Sequence, residues 1–151
     1  LMVGAGPYKD HLAKMVSDLK VAGSITFIGR IEHADLPRYI SVGDVFAMPS
    51  RSRLAGLEVE GLGIVYLEAS ACELPVIAGK SGGAPDAVLE GETGITVDGT
   101  NPSEIAKAVI SLFDDPARAS AMGKQGRQWI YDNWRWEIWA SKFNQLLYTN
   151  S

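Results

Sequence analysis

The chain has 151 residues, 46% of them hydrophobic, a single cysteine and a formal net charge of −4. That length and apolar content suffice for one domain with a core, and the acidic balance argues against a nucleic-acid backbone as partner. The lone Cys72 excludes an internal disulfide and fits a reducing compartment, and no apolar run approaches the roughly 18 residues that a bilayer-spanning helix needs.

Read from the start, "LMVGAG" looks like the middle of a strand, so Leu1 is not expected to be a natural start and the chain is expected to be a fragment of a longer protein. Leu12, Met15, Val16 and Leu19 fall at helical spacing and predict a helix over 8–20. "SITFIG" (24–29) predicts a strand, and "ADLPRYISVG" (34–43) a short helix with an acidic cap and Gly43 beyond its end. "DVFAMP" (44–49) is a further strand; after a loop over 50–61 come a helix over about 62–73 and the strand "PVIAG" (75–79). The loop "KSGGAPDAVLEGE" leads to the strand "GITV" (94–97). Asn101-Pro102 and Asp115-Pro116 each pair a cap residue with proline at the first helical position. A last helix over about 135–148 carries Trp136, Trp139, Phe143, Leu146 and Leu147 on one stripe.

Strands alternate with helices, and the strands are nearly continuous apolar runs. The fold class is therefore α/β, a Rossmann-like parallel sheet with helices on both faces. Ligands of such sheets bind beyond the carboxyl ends of the strands, where the loops 4–7, 29–34, 49–61 and 79–86 are expected.

On that edge lies "EGLGIVYLEASACELPVIAGKSGGAPDAV", with Glu60 and Glu68 eight residues apart and no lysine or arginine between Arg53 and Lys80. Three readings stay open. Both acids are solvated helix-surface groups; or they are a glycosidase acid/base pair facing one bond; or they clamp the two ends of an elongated ligand. Eight residues of helical rise span about 12 Å. On the third reading the free N–H groups near Gly63, Ile64 and Val65, at a helix N-terminus, hold an anionic middle such as a diphosphate.

The remaining motifs carry less. "GAGPYK" (4–9) lacks the third glycine of a dinucleotide fingerprint, because Lys9 stands there, and a tight turn accounts for it. "EVE" (58–60) imitates a metal-binding D-x-D without further ligands, and His11 and His33 have no partner at zinc spacing. Cys72 is expected in the core rather than as a nucleophile. Arg51 and Arg53 are either an anion contact in the cleft or a solvated loop. The four tryptophans between 129 and 139 are expected to pack behind the sheet rather than stack on a sugar.

E-x7-E followed by "ACELPVIA", "SGGAPDAV" and "EGETG" resembles the C-terminal, donor-binding half of a family 4 retaining glycosyltransferase of the GT-B class. The likeness runs from "VGAGP" through "MGKQGR" to the final tryptophan-rich helix. Within the family, "GLEVEGLG" and "SGGAPDAV" look most like actinobacterial mannosyltransferases that use GDP-mannose and phosphatidylinositol mannosides. The resemblance implies a nucleotide-sugar-binding domain over 1–133 and a crossover helix over 134–151 that packs on a missing N-terminal domain. It implies Glu60 at the reacting sugar and Glu68 on the ribose hydroxyls, with Gly61, Gly63, Ile64 and Val65 at the donor between them. Arg30, Ile31 and Glu32 would border the nucleobase, and Gly82 and Gly83 would let the backbone approach the sugar. No cofactor or metal is implied; the partners would be GDP-mannose, a lipid or glycan acceptor and the missing domain, through which the enzyme, in the cytoplasm, would make peripheral contact at the inner membrane face. A UDP-sugar donor, a sugar-nucleotide epimerase and a non-catalytic sugar-nucleotide-binding module are the rivals. One departure is Glu73, which gives "ACELP" where the family has glycine, and so bears on a turn.

Overall fold

A computed structural model describes residues 1–148, and its contacts divide the chain into two compact units, Leu1–Tyr39 and Ile40–Ser151. Residues 149–151 of the expected crossover segment lie outside the described residues.

In the first unit, strand β1 (Met2–Val3) pairs parallel to β2 (Phe27–Gly29), and helix α1 (Lys9–Asp18) connects them. The strand expected over 24–29 is shorter at its start because Ala22–Ser24 form a 3-10 turn. Helix α1 stops at Leu19, where the amide of Lys20 donates to Ser17 O and that of Val21 to Val16 O, with Lys20 at φ +58°. This is a Schellman stop with a lysine at the left-handed position that glycine usually fills. No residue of the first unit is fully buried, since two short strands and one helix cannot enclose a side chain.

The core lies in the second unit. After α2 (Leu36–Ile40), strand β3 (Phe46–Met48) is followed by α3 (Ile64–Ala71), β4 (Val76–Gly79) and β5 (Gly94–Val97), then by α4 (Pro102–Phe113), α5 (Pro116–Asn133) and α6 (Trp136–Tyr148). The three strands pair in the order β3-β4-β5, all parallel, with Phe46 opposite Val76 and Val76 opposite Gly94. All four residues of β4 are buried, which explains why its sequence is an unbroken apolar run. Ile77 and Val97 pack with Ala108 and Leu112 of α4 and with Ala119 and Met122 of α5, while α3 also packs on β4. The parallel α/β architecture read from the sequence is thus present in both units.

The caps form as their residue types dictate. Asn101 Oδ1 accepts from the amides of Ser103 and Glu104, and Asp115 Oδ1 accepts from that of Arg118. Helix α3 ends in a second Schellman stop: Glu73 N–H donates to Ser70 O, Leu74 N–H to Ala69 O, and Glu73 sits at φ +62°. The departure from glycine therefore falls on a residue held in the left-handed region, and the guanidinium of Arg127 on α5 donates to its carboxylate at 3.1 Å.

Helix α6 has no buried residue; Trp136 is 84% exposed and Phe143 61%. Its apolar stripe divides: Trp136 and Trp139 border a cavity of their own unit, whereas Phe143, Leu146 and Leu147 lie exposed. The tryptophans differ: Trp134 meets Trp129 edge-on and lies tilted against Trp139, whereas Trp136 is largely exposed.

Candidate functional site

The carboxyl ends of β3 and β4 carry two loops that lock together. Glu60 closes the first, residues 49–63, and Ser81, Gly82 and Gly83 begin the second. The amide of Glu60 donates to the buried hydroxyl of Ser81 at 3.2 Å, and the amide of Gly83 donates to the Glu60 carbonyl at 3.0 Å. Ser81 Oγ also lies 3.1 Å from Ser52 Oγ. The fit is close at Gly82 and Gly83. A Cβ on Gly82, which is at φ +54°, would overlap the Glu60 carbonyl oxygen, and one on Gly83 would overlap that of Gly61. The backbone of Glu60 is thus held from both sides, while its half-buried carboxylate makes no hydrogen bond or ion pair among the described residues.

Helix α3 begins two residues later than the sequence pattern suggests, because Gly63 is left-handed at φ +74° and acts as its N-cap. A side chain there would run into the ring of Tyr66. The amides of Ile64 and Val65 open the helix and have no acceptor among the described residues. Glu60 consequently precedes the helix instead of lying on it, and only half of its separation from Glu68 is helical. The estimate of about 12 Å for eight helical residues does not apply.

Glu68 is half-buried on α3, on the wall of an apolar cavity of about 460 Å³. Leu62, Ile64, Leu67, Trp134 and Trp139 line the same cavity. Three of the four tryptophans, Trp134, Trp136 and Trp139, border the cavity that holds Glu68. The α5–α6 corner turns them there, a placement that helical periodicity alone does not encode.

Two residues that motif reading passes over hold this arrangement. Tyr66, fully buried, donates through its hydroxyl to the Met48 carbonyl at 2.7 Å and lies 3.0 Å from Ser50 Oγ. It ties the start of α3 to the end of β3. Burial pushes its phenol pKa up, the Ser50 hydrogen bond opposes this, and the Glu60 carboxylate adds to the rise. Ser81 is the second, as the joint between the loops. The signals were a tyrosine inside an aliphatic run, whose buried hydroxyl requires a partner, and a serine directly before Gly-Gly.

Of the other candidates, Arg30, Ile31 and Glu32 follow β2 in the first unit, with Arg30 and Glu32 exposed and Ile31 half-buried. Arg53 pairs with Glu58 at 3.5 Å, and Arg51 has no ion pair among the described residues. Cys72 is half-buried at the C-cap of α3. Among the described residues no group of three His, Cys, Asp or Glu side chains gathers to hold a metal ion, and no helix is long and apolar enough to cross a membrane.

The chain resembles known proteins over nearly its whole length. It is 54% identical over 146 residues to the GDP-mannose-dependent alpha-(1-6)-phosphatidylinositol monomannoside mannosyltransferase of Mycolicibacterium smegmatis, covering 97% of this chain and 38% of that protein. It is 45% identical over 147 residues to the GDP-mannose-dependent monoacylated alpha-(1-6)-phosphatidylinositol monomannoside mannosyltransferase of Corynebacterium glutamicum, with the same two coverages, 97% and 38%. The chain thus spans 38% of the length of these curated relatives. Among solved structures, the sucrose-phosphate synthase of Thermosynechococcus elongatus superposes with a TM-score of 0.85 at 31% identity, over 99% of this chain and 38% of that one. HepE of Anabaena in complex with UDP superposes with a TM-score of 0.86 over 97% of this chain and 40% of that one; at 22% identity this is a likeness of fold. Residues 1–129 match the family of glycosyl transferases group 1, and the chain belongs to that family.

Proposed function

We propose that this chain is the donor-binding half of a retaining glycosyltransferase that moves mannose from GDP-mannose to a phosphatidylinositol mannoside-like lipid. The observation that carries the reading is the junction at Glu60. A carboxylate with a pinned backbone stands four residues before a helix whose first amides have no acceptor among the described residues. In this arrangement the amides of Ile64 and Val65 face the diphosphate, supported by Gly61 and Gly63, whose lack of side chains leaves the helix start open. Glu60 meets the sugar and stabilises positive charge as the glycosidic bond breaks, Gly82 and Gly83 line its approach, and Glu68 accepts from the ribose hydroxyls. Arg30, Ile31 and Glu32 border the base, with the Glu32 carboxylate taking the N1 and N2 donors of guanine. Helix amides supply the diphosphate contact, so the donor calls for no metal or other cofactor.

The 45–54% identity to GDP-mannose-dependent relatives supports the choice of donor, and their 38% coverage supports a further domain that completes the cleft and binds the acceptor. The stripe on α6 would pack on that domain as the crossover helix. On this reading the enzyme works in the cytoplasm with peripheral contact at the inner membrane face.

The test is a titration of the complete enzyme with GDP-mannose, UDP-glucose and UDP-N-acetylglucosamine, followed by transfer to a phosphatidylinositol mannoside. GDP-mannose should bind most tightly and yield a mannosylated lipid. Preference for a UDP-sugar would overturn the donor, and binding without transfer to any acceptor would make this a sugar-nucleotide-binding module.

A further inference from the structure

Between β3 and Glu60 the chain forms a closed finger. Arg53 and Glu58 pair as an antiparallel bridge, with Arg53 N–H donating to Glu58 O at 2.8 Å and Glu58 N–H to Arg53 O at 3.2 Å. At its tip Leu54 and Ala55 sit at φ +49° and +53°. A turn of this kind ordinarily takes glycine or asparagine, and non-glycine residues there are strained. Leucine at such a position forgoes stability that a turn residue would supply, and it puts an apolar side chain into solvent. Leu54 is 62% exposed, Leu57 86% and Val59 53%. Beside them, Arg51 carries a charge that no described acid pairs, while Arg53 is occupied by Glu58. The root of the finger is fastened to the donor loops through Ser52 and Ser81.

We propose that the finger Arg51–Val59 docks on the anionic lipid surface that presents the acceptor, with Leu54 and Leu57 in the apolar layer and Arg51 at the headgroup phosphates. The inference rests on the reading that the acceptor is a lipid. Two apolar tips and one unpaired cation are far too small for a stable protein interface, which needs about 800 Å² on each partner. They match what peripheral attachment uses, a few inserted apolar groups aided by attraction to anionic headgroups. Because the finger is joined to Glu60, docking would set the height of the donor sugar above the membrane.

The experiment compares the complete enzyme with its Leu54→Asn/Leu57→Ser double variant, asparagine being chosen because it suits the left-handed tip. Binding is measured by co-sedimentation with phosphatidylcholine vesicles with and without phosphatidylinositol. The double variant should bind the doped vesicles about ten-fold more weakly and show a raised KM for the lipid acceptor. GDP-mannose affinity and turnover with a deacylated, water-soluble acceptor should stay unchanged. Arg51→Gln should weaken binding to the doped vesicles alone. Unchanged vesicle binding by the double variant would overturn the inference. So would a fall in GDP-mannose affinity, which would assign the finger to the donor, or a lower melting temperature, which would place it against another part of the polypeptide. If the wild-type enzyme mannosylates no lipid, the proposed function fails while the vesicle assay still reports on the finger.

Discussion

Gly83→Ala offers the sharpest test of the locked loops. The new methyl would overlap the Gly61 carbonyl oxygen and meet the Gly61 carbonyl carbon at 3.3 Å and Leu62 Cα at 3.6 Å. All three are backbone atoms, so no side chain can rotate away, and the segment 60–62 must retreat by roughly 1 Å, a displacement that can cost about 100-fold in rate. Overpacking of this kind also costs about 1–3 kcal/mol of stability. Gly91→Ala is the matched control. Gly91 is left-handed at φ +76° with no neighbour within 4 Å of an added Cβ, so it loses about 1–2 kcal/mol to backbone strain alone. Turnover of the complete enzyme under saturating donor, normalised to the folded fraction from a urea titration, should fall about 100-fold for Gly83→Ala and stay near wild type for Gly91→Ala. Equal turnover in both variants would show that the close approach at Gly83 does not position Glu60.

The two glutamates should divide their labour. Glu68→Gln should weaken GDP binding by about 1.5–3 kcal/mol, the worth of a hydrogen bond to a charged group, measured by calorimetry. Glu60→Gln should lower turnover more than GDP affinity, and the reverse pattern would exchange their assignments. Tyr66→Phe removes the hydroxyl that joins Met48 and Ser50 and should cost about 1–3 kcal/mol of stability. Burial raises the Tyr66 pKa, so its stabilising contribution is complete below the unfolded value of about 10 and disappears as pH rises through the folded one. The alkaline loss of stability should accordingly be smaller in Tyr66→Phe, and identical pH profiles would refute this. Expressed alone, the chain should associate with concentration in sedimentation velocity, and Phe143→Ser with Leu147→Ser should suppress it; a monodisperse wild-type monomer would count against a sticky α6.

Where local chemistry decides, the sequence was readable. Asn101-Pro102 and Asp115-Pro116 start their helices because a side-chain oxygen meets the free amides, and "GITV" is β5 to the residue. The helix ends were harder. Lys20 and Glu73 occupy left-handed C′ positions, so a search for glycine stops cannot find them, and each predicted helix runs on by about two residues. Gly63 misled in the other direction: it looks like part of a helix and is the bend that keeps Glu60 off it. The candidate site was legible in its residue types, since E-x7-E and Gly-Gly mark it. The joints were not, because Ser81 with Glu60 and Tyr66 with Met48 are long-range pairings that leave no periodic trace.

The way Glu60 is held has a consequence for how such a site changes over generations. Its amide and carbonyl are fixed by Ser81 and Gly83, while its side chain contributes no hydrogen bond or ion pair to the loop. A mutation at position 60 can therefore replace the functional group and leave the local architecture standing. Mutations at 81, 82 or 83 remove the architecture whatever stands at 60. Drift at the acid should yield folded descendants with altered or absent chemistry, whereas drift at the serine and the two glycines should seldom survive. Innovation and robustness would thus reside on different residues a few ångströms apart, which frees position 60 to explore new groups without first solving the folding problem again.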